Sequence, residues 1–314
     1  MSATGSRLLG LAALWAAMLV AFSIATPAFF QASTVTSILQ FSSILALVTL
    51  GQALVVAAGG GGIDLSVGGM VSLSGLFMAW LGGGLAAVPA ALVAIAGGAL
   101  LGLVNGLLVT RLRLMPLIVT LGTLYAYGGL ALALTGGSPQ RGIPASLAPF
   151  GRDALGPFPL SFLLAALPVY VIAQFALSVT PAGPWTYATG RNEAAARLVG
   201  IPVARLRLAV YTISGALAGV AALVAASWLQ SARPDIGVNL ELDSLTAALL
   251  GGVSIAGGSG SPAGTLIAVL FLQSLKTGLQ LSDVNSIWQT GMVGLLLLAS
   301  LQAERLLRRG SIAA

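Results

Sequence analysis

Long, nearly uninterrupted runs of apolar residues dominate the chain and decide its predicted architecture. The first is LLGLAALWAAMLVAFSIA at 8–25, and similar runs continue almost to the C-terminus. A helix needs about 20 apolar residues to cross a bilayer, whereas a membrane β-barrel alternates over segments of about 10 residues. The pattern therefore predicts an all-α polytopic membrane protein with about ten transmembrane segments, and with eight to ten as the range. The predicted segments are 8–26, 43–59, 66–83, 86–110, 115–135, 160–179, 205–229, 243–257, 262–280 and 285–303.

Two stretches between these segments also carry predictions. The short stretch 33–41 is predicted to form an interfacial helix. The stretch 136–159 contains many Pro and Gly residues, which predicts a loop without helix.

The composition supports the membrane assignment and excludes several kinds of chemistry. Of 314 residues, 57% are hydrophobic and 7% charged, whereas soluble domains carry about 25% charged residues. No stretch is long and polar enough for a water-soluble domain, so 1–314 is predicted to be a single transmembrane domain. Cysteine and histidine are both absent, which removes disulfides, Cys or His metal sites and Ser-His nucleophile pairs. Neither catalytic residues nor a metal site nor a cofactor is therefore predicted.

The net charge of +6 reflects arginines at the ends of segments and does not indicate nucleic-acid binding. Positive residues concentrate on the cytoplasmic side of membrane proteins. With a cytoplasmic N-terminus and alternating segments, ten arginines face the cytoplasm and three face outward, which also places the C-terminus in the cytoplasm. The cytoplasmic set is Arg7, Arg111, Arg113, Arg191, Arg197, Arg205, Arg207, Arg305, Arg308 and Arg309, and the outer set is Arg141, Arg152 and Arg233.

One carboxylate lies in an apolar, glycine-rich stretch, GGGGIDLSVGGMVSLSG at 59–75. An ionised Asp at the bilayer centre costs about 2.5–3.5 kcal/mol on insertion scales, so such residues face the protein interior or a water-filled path. Asp64 or Ser66 is positioned to cap the helix 66–83. Asp64 is equally suited to line or gate a polar path. These two interpretations are compatible.

A second polar stretch, YATGRNEAAARLVGIPVARLRLAVY at 187–211, predicts a short amphipathic helix. Asn192 can cap a helix that begins at Glu193, and Glu193 can pair with Arg197 at the i, i+4 spacing. Gly200 can close the helix. Such a helix either docks into a groove on a partner or lies on the membrane surface, and the residues alone leave both open.

Small residues predict where helices approach each other. Gly98, Gly102 and Gly106 recur at every fourth position, and Gly215 and Gly219 repeat that spacing. There is also a faint internal echo. Residues 57–77 and 248–268 each combine an apolar run, a glycine-rich break and a small-residue helix, and paired broken segments of this kind often mark a transport path.

Three stretches together resemble one family of membrane proteins. GIDLSVG (62–68), GRNEAAARLVGI (190–201) and LDSLTAALLGGVSIAGGSGSPAGTLIA (242–268) are similar to the permease subunits of ribose-type ABC sugar importers, within the branched-chain amino acid/ribose permease superfamily. The order and spacing match over nearly the whole chain. The GGGG run before Ile63 departs from relatives, which often carry more polar residues there.

The resemblance implies a function and a set of partners. It implies a permease of the bacterial inner membrane that moves a monosaccharide by alternating access. The implied partners are a cytoplasmic ATP-binding subunit, a second permease that is identical or homologous, and an extracytoplasmic solute-binding protein. Asp64 and Ser66 are the candidate translocation-path residues. The implied ATPase-coupling loop comprises Asn192, Glu193, Ala194, Ala195, Arg197 and Gly200.

The sequence itself, apart from the resemblance, shows whether the chain can bind ATP. An ATP-binding phosphate loop requires G-x-x-x-x-G-K-[ST], but Leu275 precedes the sole lysine, Lys276. The chain is therefore no ATPase, and ATP-driven transport would need another subunit. An ABC permease for a nucleoside or amino acid remains an alternative. A secondary transporter is less favoured, because Asp64 is the only acid that is plausibly deep in the membrane. A scaffold that transports nothing is the remaining class.

Overall fold

The computed structural model describes residues 3–312, and it describes the side chains of 8–305. Arg7, Arg308 and Arg309 of the charge count therefore lie outside the described side chains. Within this range the chain forms thirteen α-helices: α1 (Ala3–Ala25), α2 (Ala32–Ala57), α3 (Val67–Leu81), α4 (Ala87–Thr110), α5 (Pro116–Thr135), α6 (Ala148–Arg152), α7 (Leu167–Val179), α8 (Ala182–Arg191), α9 (Glu193–Leu198), α10 (Val203–Leu229), α11 (Leu240–Leu250), α12 (Pro262–Leu281) and α13 (Ser286–Ile312).

Shorter elements occupy some of the connections. Pro27–Phe30 and Ala145–Leu147 are 3-10 turns, and Phe162–Ala166 is a π-helical turn that continues into α7. Strands β1 (Ala154–Leu155) and β2 (Phe158–Pro159) form a small antiparallel hairpin.

The membrane-spanning architecture predicted from the sequence is confirmed. Eight of the described helical segments are long and apolar enough to cross a membrane. They are Leu8–Ala25, Ala32–Ala57, Ala87–Thr110, Pro116–Thr135, Phe162–Val179, Val203–Leu229, Pro262–Leu281 and Ser286–Arg305. The other two predicted segments coincide with α3, of 15 residues, and α11, of 11 residues. Both are too short to span a bilayer alone, since a helix rises about 1.5 Å per residue.

Three local predictions were wrong. The stretch 33–41 is the first part of α2, because hydroxyls such as Thr36 and Ser37 bond to carbonyls four residues earlier and stay within the helix. The segment 243–257 is helical only to Leu250, where the glycine-rich chain leaves the helix. The loop 136–159 contains α6 and the hairpin, despite its proline content.

The bundle has two ends. We call the end that carries α9 (Glu193–Leu198) the α9 end, and the end that carries the β1–β2 hairpin (154–159) the hairpin end. At the α9 end, Tyr187 donates a hydrogen bond to the carbonyl of Gly260 (2.9 Å). At the hairpin end, Thr36 donates to the carbonyl of Pro157 (3.1 Å). At each end, a helix thus binds a loop that is distant in the sequence.

Glycines allow α4 and α10 to cross at backbone contact. A Cβ atom on Gly215 would lie 2.8 Å from Cα of Gly102, and one on Gly98 would lie 2.9 Å from Cα of Gly219. Real Cβ atoms essentially never come so close. The two small-residue stripes predicted from the sequence therefore pack against each other.

We expect Gly215→Ala to destabilise the protein, because the added methyl group would force α4 and α10 apart. Overpacking of this kind costs about 1–3 kcal/mol. Gly129→Ala in α5 is the matched control, since nothing lies within 4 Å of a Cβ atom there. Thermal unfolding in mild detergent measures the difference, and equal midpoints for the two variants would contradict the packing described.

Candidate functional site

The loop 58–66 returns the chain from the end of α2 to the start of α3. Gly59, Gly60 and Gly61 have φ angles of +70°, +68° and +71°. This left-handed region is costly for residues with a Cβ atom. The glycine run is therefore the local reason that the chain can turn back into the bundle here.

Asp64 is fully buried and is held by hydrogen bonds from two elements. Its Oδ1 accepts from the backbone N–H of Ser66 (3.1 Å) and from the Ser66 hydroxyl (2.6 Å). Its Oδ2 accepts from the hydroxyl of Ser214 on α10 (3.0 Å). Among the described side chains, no arginine or lysine pairs with Asp64. Neutral donors alone therefore satisfy this carboxyl group.

The hydrogen bonds continue from Ser66 into α4 and α5. Asn105 donates from Nδ2 to the Ser66 hydroxyl (2.7 Å), and Tyr127 donates to the carbonyl of Leu101 (3.1 Å) with Asn105 Oδ1 at 3.4 Å. Thr120 donates to the carbonyl of residue 63 (2.9 Å). We call the group Asp64, Ser66, Asn105, Tyr127 and Ser214 the Asp64 network; it joins the loop 58–66 to α4, α5 and α10.

The predicted helix cap takes a different form in the structure. The helix begins at Val67, and neither Asp64 nor Ser66 accepts a capping hydrogen bond from its first turn. Ser66 has φ −79° and ψ −5°, whereas a capping side chain usually requires an extended backbone. Asp64 instead braces the turn before α3. Both side chains have zero exposure, so in this conformation they are hidden from any open path.

The second polar stretch forms the predicted short helix, α9. Oδ1 of Asn192 accepts from the N–H of Ala195 (3.0 Å), and Glu193 pairs with Arg197 at 2.6 Å. Gly200 has φ +84° and closes the helix in the left-handed region. These local predictions are confirmed.

One face of α9 is strongly exposed and apolar. Leu198 and Val199 are 88% and 76% exposed, whereas Ala196 is buried against the rest of the protein. Ala194 and Ala195 are exposed as well. The helix is therefore anchored on one side and presents apolar side chains on the other.

Glu193 also connects α9 to the bundle. Its Oε2 lies 2.7 Å from Nη2 of Arg207 on α10. The hydrogen bond from Arg197, assisted by the positive charge of Arg207, holds the pKa of the Glu193 carboxyl below its ordinary value. Glu193 is therefore ionised at neutral pH and binds both arginines.

Three glycine-containing segments meet at the α9 end, in what we call the glycine junction: Gly59, Gly190, Gly257 and Gly258. A Cβ atom on Gly59 would lie 2.6 Å from Cα of Gly190, and one on Gly257 would lie 2.7 Å from Cα of Gly59. The N–H of Gly258 donates to the carbonyl of Ala57 (2.9 Å). The two broken segments that echo each other in the sequence thus touch here, immediately before α9.

A cavity of about 470 Å³ lies beside the glycine junction. Its lining includes Tyr187, Arg191 and Glu304, together with leucines of α1 and α11. No member of the Asp64 network lines it. The cavity and the network are therefore separate features of this conformation.

Sequence reasoning missed the partners of the candidate residues. Asn105 and Ser214 are isolated polar residues within apolar segments, and that isolation was the available signal. Arg207 was counted only as a charge at a segment end. Lys276 pairs with Asp243 of α11, and no sequence pattern indicated that pair.

Comparison with known proteins gives a consistent result. Residues 34–301 match the model of a family described as "Branched-chain amino acid transport system / permease component". The chain is 36% identical to the ribose import permease protein RbsC of Bacillus subtilis (strain 168), covering 92% of this chain and 89% of the relative. It is 37% identical to RbsC of Escherichia coli (strain K12), with 84% and 83% covered.

A further relative carries a different name. The chain is 38% identical to the autoinducer 2 import system permease protein LsrC of Enterobacter sp. (strain 638), covering 90% of this chain and 82% of the relative. No solved structure matches the chain. The family match over most of the chain, together with these relatives, shows that this multi-pass membrane protein belongs to the family of branched-chain amino acid transport system permease components.

Proposed function

We propose that the chain is the membrane-spanning permease subunit of an ABC importer and forms the translocation path for a monosaccharide. The ribose import permeases among the relatives support this solute class, and the autoinducer 2 import permease supports import more generally. Alternating access would open the path to one side of the membrane at a time. The whole of 1–314 would form one permease domain.

The exposed apolar face of α9 is the observation that carries the proposal. A short helix between α8 and the spanning helix α10 that displays Leu198, with Val199 at its end, is suited to dock in a groove on a partner. The chain has no phosphate-binding loop of its own. A separate ATP-binding subunit that receives α9 would supply the missing energy source.

The distribution of charge supports an orientation in the bacterial inner membrane. Described arginines gather at the α9 end, and we place that end and both chain termini in the cytoplasm. The hairpin end then faces outward, where two segments would meet a solute-binding protein: 136–159, with α6 and the hairpin, and 233–243, which runs into the start of α11. A second permease subunit, identical or homologous, would complete the transporter.

The proposed site residues have distinct roles. Asn192, Gly200 and the Glu193–Arg197 pair shape the coupling helix, and Ala194 and Ala195 lie on its exposed side. Asp64 and Ser66 would shape the path by fixing the start of α3, since both are fully buried in this conformation.

The structure favours this class over secondary transport. A coupling-ion site needs available intramembrane acids. Asp243 is paired with Lys276, and both oxygens of Asp64 accept hydrogen bonds from serines, so Glu241 is the described acid that keeps a buried oxygen without a partner. A transporter driven by an ion gradient is therefore less well supported than an ATP-driven one.

The first test is co-purification of the tagged protein from its native host in mild detergent. We expect an ATP-binding subunit to co-purify, with ATP hydrolysis raised by the binding protein loaded with D-ribose. Uptake of D-ribose into proteoliposomes should require ATP inside. Preparations without any ATPase, under conditions that keep a known ABC importer intact, would contradict the proposal. Uptake that survives ATP depletion but stops with an uncoupler would instead identify a secondary transporter.

We expect Gly200→Trp to weaken binding of the ATPase subunit. A residue with a Cβ atom in the left-handed region costs about 1–2 kcal/mol, and the new ring would project from α9 into open space. Gly200→Asn is the control, because Asn tolerates this backbone conformation best among other residues. Co-purified ATPase per permease is the measurement, and unchanged binding with Trp would rule out α9 as the docking element.

We expect Asp64→Leu to abolish uptake, because it leaves the hydroxyls and N–H of its partners without an acceptor. Each buried unsatisfied group costs about 1–3 kcal/mol. Asp64→Asn retains an oxygen acceptor and should keep much of the uptake. Full uptake by Asp64→Leu at normal expression would exclude a role for Asp64 in shaping the path.

A further inference from the structure

We propose that Arg207 is the positioning residue that transmits movement of α9 to the loop 58–66 and, along α10, to the Asp64 network. The inference rests on the proposed function, in which α9 docks onto the ATPase. It concerns how the permease itself relays the movement of that helix into the membrane.

The first step of the relay is the contact between α9 and α10. Nη2 of Arg207 lies 2.7 Å from Oε2 of Glu193, and the Arg207 side chain is only 16% exposed. Arg197, the other partner of Glu193, is 57% exposed and belongs to α9 itself. Exposed pairs contribute little, whereas removing one partner of a shielded pair is costly. Arg207 is thus the side chain that ties Glu193 to the bundle.

The second step is the contact between Arg207 and the loop. A Cβ atom on Gly60 would lie 2.6 Å from Cζ of Arg207. The guanidinium group therefore occupies the space that a side chain at position 60 would take. Gly60 has φ +68°, so this part of the loop has an unusual conformation as well as a close neighbour.

The third step runs along α10. Arg207, Tyr211 and Ser214 follow an i, i+4, i+7 spacing and lie on one face of the helix. Tyr211 and Arg207 line the same narrow gap beside Gly59 and Gly62. Ser214 then donates to Asp64. Because α10 is one continuous helix from Val203 to Leu229, displacement at Arg207 moves Ser214 with it.

The experiment compares Arg207→Gln with Arg207→Lys and with the control Arg205→Gln. Arg205 is a nearby exposed arginine on α10 with no described ion pair. Each complex is purified with its ATPase and binding protein, and ATP hydrolysis and D-ribose uptake are measured in proteoliposomes. We expect Arg207→Gln to assemble and hydrolyse ATP, with uptake per ATP at least tenfold lower. Arg207→Lys should recover part of that loss, because it keeps the charge, and Arg205→Gln should match the wild type.

Hydrogen exchange distinguishes a relay from a structural role, because a residue that only stabilises the fold would not change the response to nucleotide. Peptides covering 58–66 should change their exchange rate when a non-hydrolysable ATP analogue binds the wild-type complex. We expect that change to be absent in Arg207→Gln and present in Arg205→Gln. A response to nucleotide that persists in Arg207→Gln would overturn the proposal.

A double-mutant cycle with Glu193→Gln tests whether the two residues act through each other. If they do, the combined variant loses little more uptake than either single variant. Losses that multiply would overturn the relay, as would a parallel fall in thermal stability and assembly for Arg207→Gln. A wild-type chain that binds no ATPase would overturn the proposed function and the relay together.

Discussion

A carboxyl group without a cationic partner cannot remain inside an apolar bundle unless neutral donors surround it. In this protein that requirement governs the centre of the fold. Asp64 obtains its donors from Ser66 and Ser214, and Asn105 completes the bonding of Ser66 from a third helix. The loop between α2 and α3 is thereby attached to the helices around it, and the position of α3 depends on those attachments.

At the α9 end, irregular segments meet, and their buried backbone groups must find hydrogen-bond partners. Glycines at 59, 190 and 257 let the chains approach, and the carbonyl of Ala57 takes the N–H of Gly258. The same region contains the ion pairs of Glu193. The α9 end thus combines close backbone contacts at glycines with an ion pair between α9 and α10.

The sequence predicted the features that depend on neighbouring residues and missed those that depend on residues far apart in the chain. The cap of α9 by Asn192 and its closure at Gly200 involve neighbours within the helix, so composition and spacing predicted them. The apolar runs similarly predicted the spanning helices. The bond between Asp64 and Ser214 joins residues 150 positions apart, and no local pattern encodes such a pair. The early start of α2 was missed because its hydroxyls resemble a polar surface until their bonds to the helix backbone are seen.

The glycine junction has a consequence for how such a contact is recognised across related proteins. Its three segments touch through backbone atoms, and a side chain on Gly59, Gly190 or Gly257 would overlap a neighbour. A substitution at one position therefore has no compensating substitution at another. Pairs of positions that change together reveal spatial contacts in alignments, but this contact would leave no such correlation. Methods that infer contacts from covariation between positions would not detect the place where the two broken segments meet.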